Sequence, residues 1–228
     1  MLARAVLGAN GPESWVWWGW VGDHLGDIGR ALREHLLLTS IAVGLGLLIA
    51  LPLAVAVHRW RRLTTPVFAV TGIVYTIPSL ALFALFVPVT GLSRTTAEIA
   101  LVGYTLLILV RNTVTGLAGV SPEVREAAQG MGFGPVRQLL RVEMPLAVPA
   151  IIAGVRIAAV TTIGLVTVTA LIGQGGLGQF ILDGLNRQFK TPLVVGAVLS
   201  VVLAVTADLL LLLLQRLATP WSRRAGGR

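Results

Sequence analysis

Five long apolar runs constrain this chain more than any other feature: roughly 35–57, 66–89, 97–118, 148–172 and 193–215. Crossing a hydrocarbon layer of roughly 30 Å takes about 20 helical residues, and each run is of that length. A lone spanning segment satisfies its own backbone polar groups only as a helix. The expected fold class is therefore an all-α membrane protein of about five transmembrane helices. Composition agrees: 55% of residues are hydrophobic and 12% charged, whereas a soluble domain carries about 25% charged residues. A chain of 228 residues has room for one compact bundle. With no cysteine, disulfides, thiolate metal sites and cysteine nucleophiles are excluded.

The net charge of +8 comes almost wholly from arginine, and the basic residues sit at the ends of the apolar runs. That placement reads as anchorage beside anionic lipid heads and leaves no nucleic-acid footprint. Arg59, Arg61, Arg62, Arg125, Arg137, Arg141, Arg216, Arg223, Arg224 and Arg228 fall on one side of the expected membrane. Arg4, Arg30, Arg33, Arg94, Arg187 and Lys190 fall on the other. Arginine-rich connections stay in the cytoplasm, so the amino terminus is expected outside and the carboxyl terminus inside. Residues 1–34 read as an extracytoplasmic interfacial segment and 218–228 as a cytoplasmic basic tail. GANGPES interrupts any apolar core near the start, so no cleaved secretory signal is expected. WVWWGW at 15–20, with Trp60 and Trp221, reads as an aromatic belt, and 15–33 as a helix lying on the outer surface. Gly44, Gly46, Ala50, Gly154 and Ala158 read as packing positions, where small residues let helices approach closely in lipid.

REAAQGMGFGPVRQLLRVEMP, residues 125–145, is too short and too charged to cross. Ser121 is suited to capping a helix that Pro122 opens, with Val124, Ala127, Ala128 and Met131 on one stripe. Gly130, Gly132 and Gly134 then stop it. Pro135 opens a second helix with Val136, Leu139 and Leu140, and Pro145 ends that helix or kinks it into the fourth span. Two helices of about ten residues do not hold their shape alone in water, so the pair calls for a partner.

Glu126, Ala127, Ala128, Gly132, Val142, Met144 and Pro145 fall at the spacing of the EAA loop in membrane subunits of bacterial ATP-binding-cassette importers. Val142 and Met144 replace the pattern's Ile and Leu conservatively. YTIPSLALFALFVPVTGL (75–92), LVRNTVTGLAGVSPEVREAAQGMG (109–132) and TALIGQGGLGQFILDGL (169–185) resemble the osmoprotectant permeases for glycine betaine, carnitine and choline, over most of 35–217. The resemblance implies a type I importer permease of the bacterial plasma (inner) membrane, with 35–217 as the permease domain and 121–145 as its coupling loop. It implies two cytoplasmic ATPase subunits docked on that loop, which bind the ATP and Mg, and an extracytoplasmic substrate-binding protein. Because five spans do not enclose a gated route alone, a second copy or a related permease is expected across the path.

Other chemistries lose ground on the residues. GQGGLG at 173–178 satisfies a dinucleotide fingerprint but follows a span on the outer side, without the soluble strand that fingerprint needs. The phosphate-binding G-x-x-x-x-G-K-[ST] is missing, so no cofactor is expected on this chain. His24, His35 and His58 are scattered, and the chain is expected to be a transporter subunit and not an enzyme. Arg111, Arg156 and Asp208 fall near one depth within their spans. A charge in mid-bilayer is costly, so Asp208 is expected to meet Arg111 or Arg156, as a structural pair or as a gate. Candidate pathway groups are Tyr75, Thr76 and Ser79 around Pro78, Asn112 beside Arg111, and Thr161, Thr162, Thr167 and Thr169. About half are expected to be bland, since threonine can bond back to its own helix. Tyr75 stands out because an aromatic face stabilises a quaternary ammonium without offering a hydrogen bond the ion cannot use. The competing function is an ATP-independent channel or secondary carrier, which would call for further acids inside the membrane.

Overall fold

The computed structural model describes residues 15–220, and Arg4, Trp221, Arg223, Arg224 and Arg228 lie outside them, as do most of the basic tail and residues 1–14 of the interfacial segment. Among the described residues the chain is helical. In order come α1 (Trp18–Asp23), α2 (Leu25–Arg59), α3 (Thr64–Thr76), α4 (Ser79–Thr90) and α5 (Arg94–Ala118). They are followed by α6 (Pro122–Gly130), α7 (Pro135–Gln138), α8 (Met144–Val168), α9 (Leu177–Asn186) and α10 (Lys190–Ala218). Four stretches pass as spans by length and hydropathy: Leu25–Arg59, Arg94–Ala118, Pro135–Ile172 and Lys190–Ala218. A fifth is the bent pair Arg61–Thr76 with Ser79–Thr90.

The run expected as one span over 66–89 is thus broken. Proline disfavours helical geometry in the residue before it, and Ile77, which precedes Pro78, is extended at φ −65° and ψ 130°. The carbonyl freed at the break is not left bare, because the Tyr104 hydroxyl donates to Ile77 O. The first span is longer than its apolar run. At 35 residues, α2 measures ~52 Å at the helical rise of about 1.5 Å per residue, well beyond the ~30 Å core. Residues 25–33 therefore belong to the first spanning helix and not to a separate surface helix. The chain leaves α1 at His24, whose Nδ1–H donates to Trp20 O at 2.8 Å while its ring stacks on Trp20 at 4.2 Å.

Two compact units divide the described residues: 15–42, 78–101 and 161–206 form the first, and 43–77, 102–160 and 207–220 the second. In the first, Leu38, Phe83, Leu101, Ile163, Val166 and Leu177 are buried. The tryptophan-rich segment packs within it. Trp20 makes edge contacts with Phe180 and Phe189 at 5.9 and 5.8 Å, and Trp17 N–H donates to Thr191 Oγ1 at 2.9 Å. Only Trp15 and Trp18 of that segment stay largely exposed, at 70% and 67%. The uniform belt expected of WVWWGW is therefore half structural, since two of its rings hold the segment to the connection between α9 and α10.

The second unit is built on small residues. Ala50, Ala54, Leu109, Val110 and Ala158 form its buried cluster. A side chain at Gly154 would meet Asn112 Cβ at 2.6 Å, and one at Gly46 would collide with Thr105 Oγ1. Gly44 differs from the other small residues, for nothing lies within 4 Å of where its Cβ would be.

Candidate functional site

The polar connection between α5 and α8 is a hairpin of α6 and α7. Pro122 starts α6 without needing a backbone donor, but the Ser121 side chain makes no capping bond. Glu123 takes over that end: its own backbone N–H and the Ser121 hydroxyl hold its carboxylate below the usual range. At the other end the Phe133 N–H donates to Ala128 O at 3.1 Å while Gly132 sits at φ +79°. This is a left-handed helix stop that glycine adopts without strain. Ala128 is buried at its root, whereas Glu126, Ala127 and Gly132 are exposed. The expected single stripe of α6 is split, because Val124 and Met131 point outward with Ala128 inside.

The second helix of the hairpin does not end at Pro145. After α7 the backbone widens into a π-turn over Leu139–Glu143 and runs directly into α8. Proline has no N–H to give to the preceding turn, and a π-turn is a common way to absorb such a misfit. Val142, Met144 and Pro145 are half-buried there.

Between the hairpin and the carboxyl-terminal end of α2 lies a cleft of about 550 Å³, lined in part by Val55, His58, Arg125, Phe133, Gln138 and Glu143. Glu143 is 6% exposed. Its Oε1 accepts from Gln138 Nε2 at 2.8 Å and its Oε2 from His58 Nε2 at 3.1 Å. Arg125 Nη2 donates to Leu117 O, at the end of α5, at 2.7 Å, and its Nε stands 3.5 Å from Glu143 Oε1.

Among the charges within spans, Arg156 and Asp208 are brought together. Nε and Nη2 of the guanidinium donate to Oδ1 and Oδ2, both at 2.9 Å, the two-pronged geometry that fixes orientation as well as charge. Gln215 extends the network, accepting from Arg156 Nη1 at 3.3 Å and donating to Pro149 O at 3.0 Å. Arg111 is not part of it, and lies over the Phe68 ring at 5.7 Å from the centroid.

The candidate pathway groups divide between the units, with Tyr75, Thr76 and Asn112 in the second and Ser79, Thr161, Thr162, Thr167 and Thr169 in the first. Tyr75 is 39% exposed and meets Tyr104 edge-on at 6.0 Å. Several others spend their hydrogen on their own helix. Thr76 bonds Ile73 O, Thr167 bonds Gly164 O, Thr169 bonds Val166 O and Asn112 bonds Ile108 O, all at 2.7–2.8 Å. Thr162 is buried, while Ser79 and Thr161 are half-buried.

Three features escaped the sequence reading. Glu98, one turn into α5, has both carboxylate oxygens buried without a hydrogen-bond partner; a single acid just inside a span was its only signal. Glu143 occupies a variable position of the loop pattern, between Val142 and Met144, so the motif gave it no weight. The helix α9 follows a glycine turn, and its apolar residues are too few to register as a span.

A family model described as the binding-protein-dependent transport system inner membrane component matches residues 42–219. The chain belongs to this family. The permease is 39% identical over 195 residues to the choline transport system permease protein OpuBB of Bacillus subtilis, covering 86% of this chain and 90% of that one. It is 40% identical over 195 residues, with the same coverages, to the glycine betaine/carnitine/choline transport system permease protein OpuCB of the same organism. Its fold matches the inward-facing MetNI methionine ABC transporter at a TM-score of 0.76 and 21% identity, covering 86% of the permease and 98% of the solved chain. The permease is thus a multi-pass inner membrane protein, the transport component of a binding-protein-dependent system and not its catalyst.

Proposed function

We propose that this permease carries a quaternary-amine osmoprotectant such as glycine betaine, carnitine or choline, and that ATP hydrolysis on partner subunits drives the import. The observation that carries the ATP-driven reading is the hairpin's surface. Val124, Met131, Val136 and Leu140 are exposed on an element whose cytoplasmic charges forbid it to enter lipid. Exposed apolar groups rimmed by charge mark a docking face, and each of two ATPase subunits would seat on one such hairpin. Glu126, Ala127, Ala128, Gly132, Val142, Met144 and Pro145 shape that face. A second permease, of the same or a related chain, completes the path, and a binding protein delivers solute from outside.

Topology follows from charge. Arg59, Arg61, Arg62, Arg125, Arg137, Arg141 and Arg216 fall at one set of span ends, and Arg30, Arg33, Arg94, Arg187 and Lys190 at the alternate set. The first group takes the cytoplasmic side, with the amino terminus outside and the carboxyl terminus inside. The substrate class rests on the two relatives and on the polar groups available. Tyr75 offers an aromatic face to an ion that cannot donate hydrogen bonds, while Ser79, Thr161 and Thr162 remain as accessory polar groups. The Arg156–Asp208 pair neutralises itself and therefore presents no net charge to a cation.

The test is reconstitution in proteoliposomes with the ATPase and the binding protein encoded beside it. Uptake of labelled choline, carnitine or glycine betaine is expected only with ATP inside the cytoplasmic compartment. Replacing Gly132 with valine strains a left-handed position and is expected to abolish uptake while the binding protein still docks. Uptake at full rate without an ATPase, or with the Gly132→Val hairpin, removes this reading.

A further inference from the structure

We infer that Glu143 is a positioning residue for coupling, tying the docking hairpin to the inner end of α2 so that a displacement of the hairpin is passed to that spanning helix. The inference rests on the hairpin being the motor's docking face, and it names a residue that the loop pattern leaves variable.

The hairpin has little apolar core to hold it in position. Four of its large apolar side chains, Val124, Met131, Val136 and Leu140, face outward, and the half-buried Phe133 and Leu139 line the cleft of about 550 Å³ beneath it. Helices of nine and four residues are far below the ~12–15 residues at which an isolated helix becomes even marginal in water. What spans the cleft is the buried carboxylate. A carboxylate is costly to bury unless its oxygens are taken up, and each oxygen of Glu143 accepts from a different element. Gln138 Nε2, from α7, serves Oε1 and His58 Nε2, from α2, serves Oε2. Because a carboxylate only accepts, the His58 hydrogen is on Nε2 in this arrangement.

Arg125 supplies the third link. It belongs to α6 and is fixed to the end of α5 through Leu117 O at 2.7 Å. Its Nε faces Glu143 Oε1 at 3.5 Å and, though buried, has no hydrogen-bond partner. A shift of ~0.5 Å would bring that contact to ordinary hydrogen-bond length. In this conformation Arg125 is thus joined to Glu143 by charge alone, without a hydrogen bond. A force on the hairpin reaches α2 through Glu143 and His58, while Arg125 gives α6 a separate, direct hold on the end of α5.

The experiment uses the permease assembled with its ATPase and binding protein in proteoliposomes, with ATP hydrolysis and solute uptake measured on the same preparation. Glu143→Ala is expected to assemble and to hydrolyse ATP within about twofold of the parent, while uptake per ATP falls about fivefold or more. His58→Ala is expected to do the same more weakly. The double variant is expected to be no worse than Glu143→Ala, since both act through one contact. Unchanged uptake per ATP in Glu143→Ala overturns the inference, as do additive losses in the double variant. A proportional fall of hydrolysis and uptake also overturns it, because that marks lost docking. If Glu143→Ala fails to assemble, Glu143→Gln keeps an acceptor for Gln138 and removes the charge, and the same two outcomes are read from it. Failure of Glu143→Gln and His58→Ala to assemble as well makes the residue a structural post only. A parent transporter that moves solute without its ATPase refutes the docking reading, whereas a coupled parent with an equally coupled Glu143→Ala refutes only the hub.

Discussion

Two connections in this permease return the chain between spanning helices, and they are built on opposite principles. The turn at 169–176 that leads from α8 into α9 is packed backbone to backbone. A Cβ at Gly178 would collide with Thr167 O, and one at Gly176 would collide with Ala31 O. The hairpin between α5 and α8 is instead held by side chains across a cleft, and nothing lies within 4 Å of the Cβ positions of Gly130 and Gly134. Direct backbone contact leaves no give, whereas polar side chains over a cleft can move by fractions of an ångström without losing their partners. The glycine turn is thus a fixed corner, and the hairpin an element that can be displaced.

One substitution made in both places separates the two modes most strongly. Gly178→Ala forces a methyl group into the Thr167 carbonyl, and overpacking of that kind costs about 3 kcal/mol. Gly130→Ala, at the end of α6, meets open space and replaces a poor helix former with the best one. In detergent, Gly178→Ala is expected to lower the thermal midpoint steeply and to reduce the yield of monodisperse protein, with Gly130→Ala at or above the parent. Equal midpoints for the two variants would mean that the corner is as deformable as the hairpin.

The next largest effect concerns how each unit treats its acids. The unit containing the hairpin partners both Glu143 and Asp208, while the unit containing the glycine turn leaves Glu98 without a hydrogen bond. Asp208→Asn leaves the Arg156 guanidinium uncompensated within a span. It is expected to lower the thermal midpoint by several degrees, with partial recovery when Arg156→Gln is added. Glu98→Gln removes a buried carboxylate that has no hydrogen bond and is expected to hold or raise the midpoint. A drop as large as that of Asp208→Asn would reveal a partner for Glu98 in the assembled transporter, and scanning melts in matched detergent distinguish the two.

How much of this was legible in the sequence follows from the same contrast. Long spans announce themselves because burial in lipid needs a continuous apolar run, so α2, α5, α8 and α10 were recognisable and their ends were not. The break at Ile77 was written in Pro78, but a run that continues apolar on both sides masks it. The hairpin was visible through Pro122, Pro135 and the glycines between them, because a turn needs particular backbones. Its fastening was not visible: His58 and Glu143 lie far apart in sequence, and no periodicity links them. Likewise the sequence says that about half of the polar groups on the apolar helices bond back to their own backbone, but not which, and the structure picks out Thr76, Asn112, Thr167 and Thr169.

The smallest expected effect tests whether the hairpin's outer helix is held locally, as its small size requires. Glu123, and not Ser121, completes the start of α6, with its own backbone N–H and the Ser121 hydroxyl favouring the ionised carboxylate. Its affinity for a proton is lower in the folded chain than the ordinary value of 4.5. The charged form is therefore the one that folding favours. Its contribution is complete above that ordinary value and is lost as the pH falls through the lowered one. At neutral pH the helix start is fastened, and only below about pH 4.5 is the fastening expected to loosen. Hydrogen exchange of the α6 amides, compared between neutral and acid pH in detergent, should show a modest rise in exchange confined to the first turn. Glu123→Gln should show that rise at neutral pH and little further change on acidification. The α9 amides, set by backbone packing against the fixed corner, serve as the reference and should not respond. If α6 and α9 respond alike, the loosening is global and the hairpin has no independent hold on its outer end.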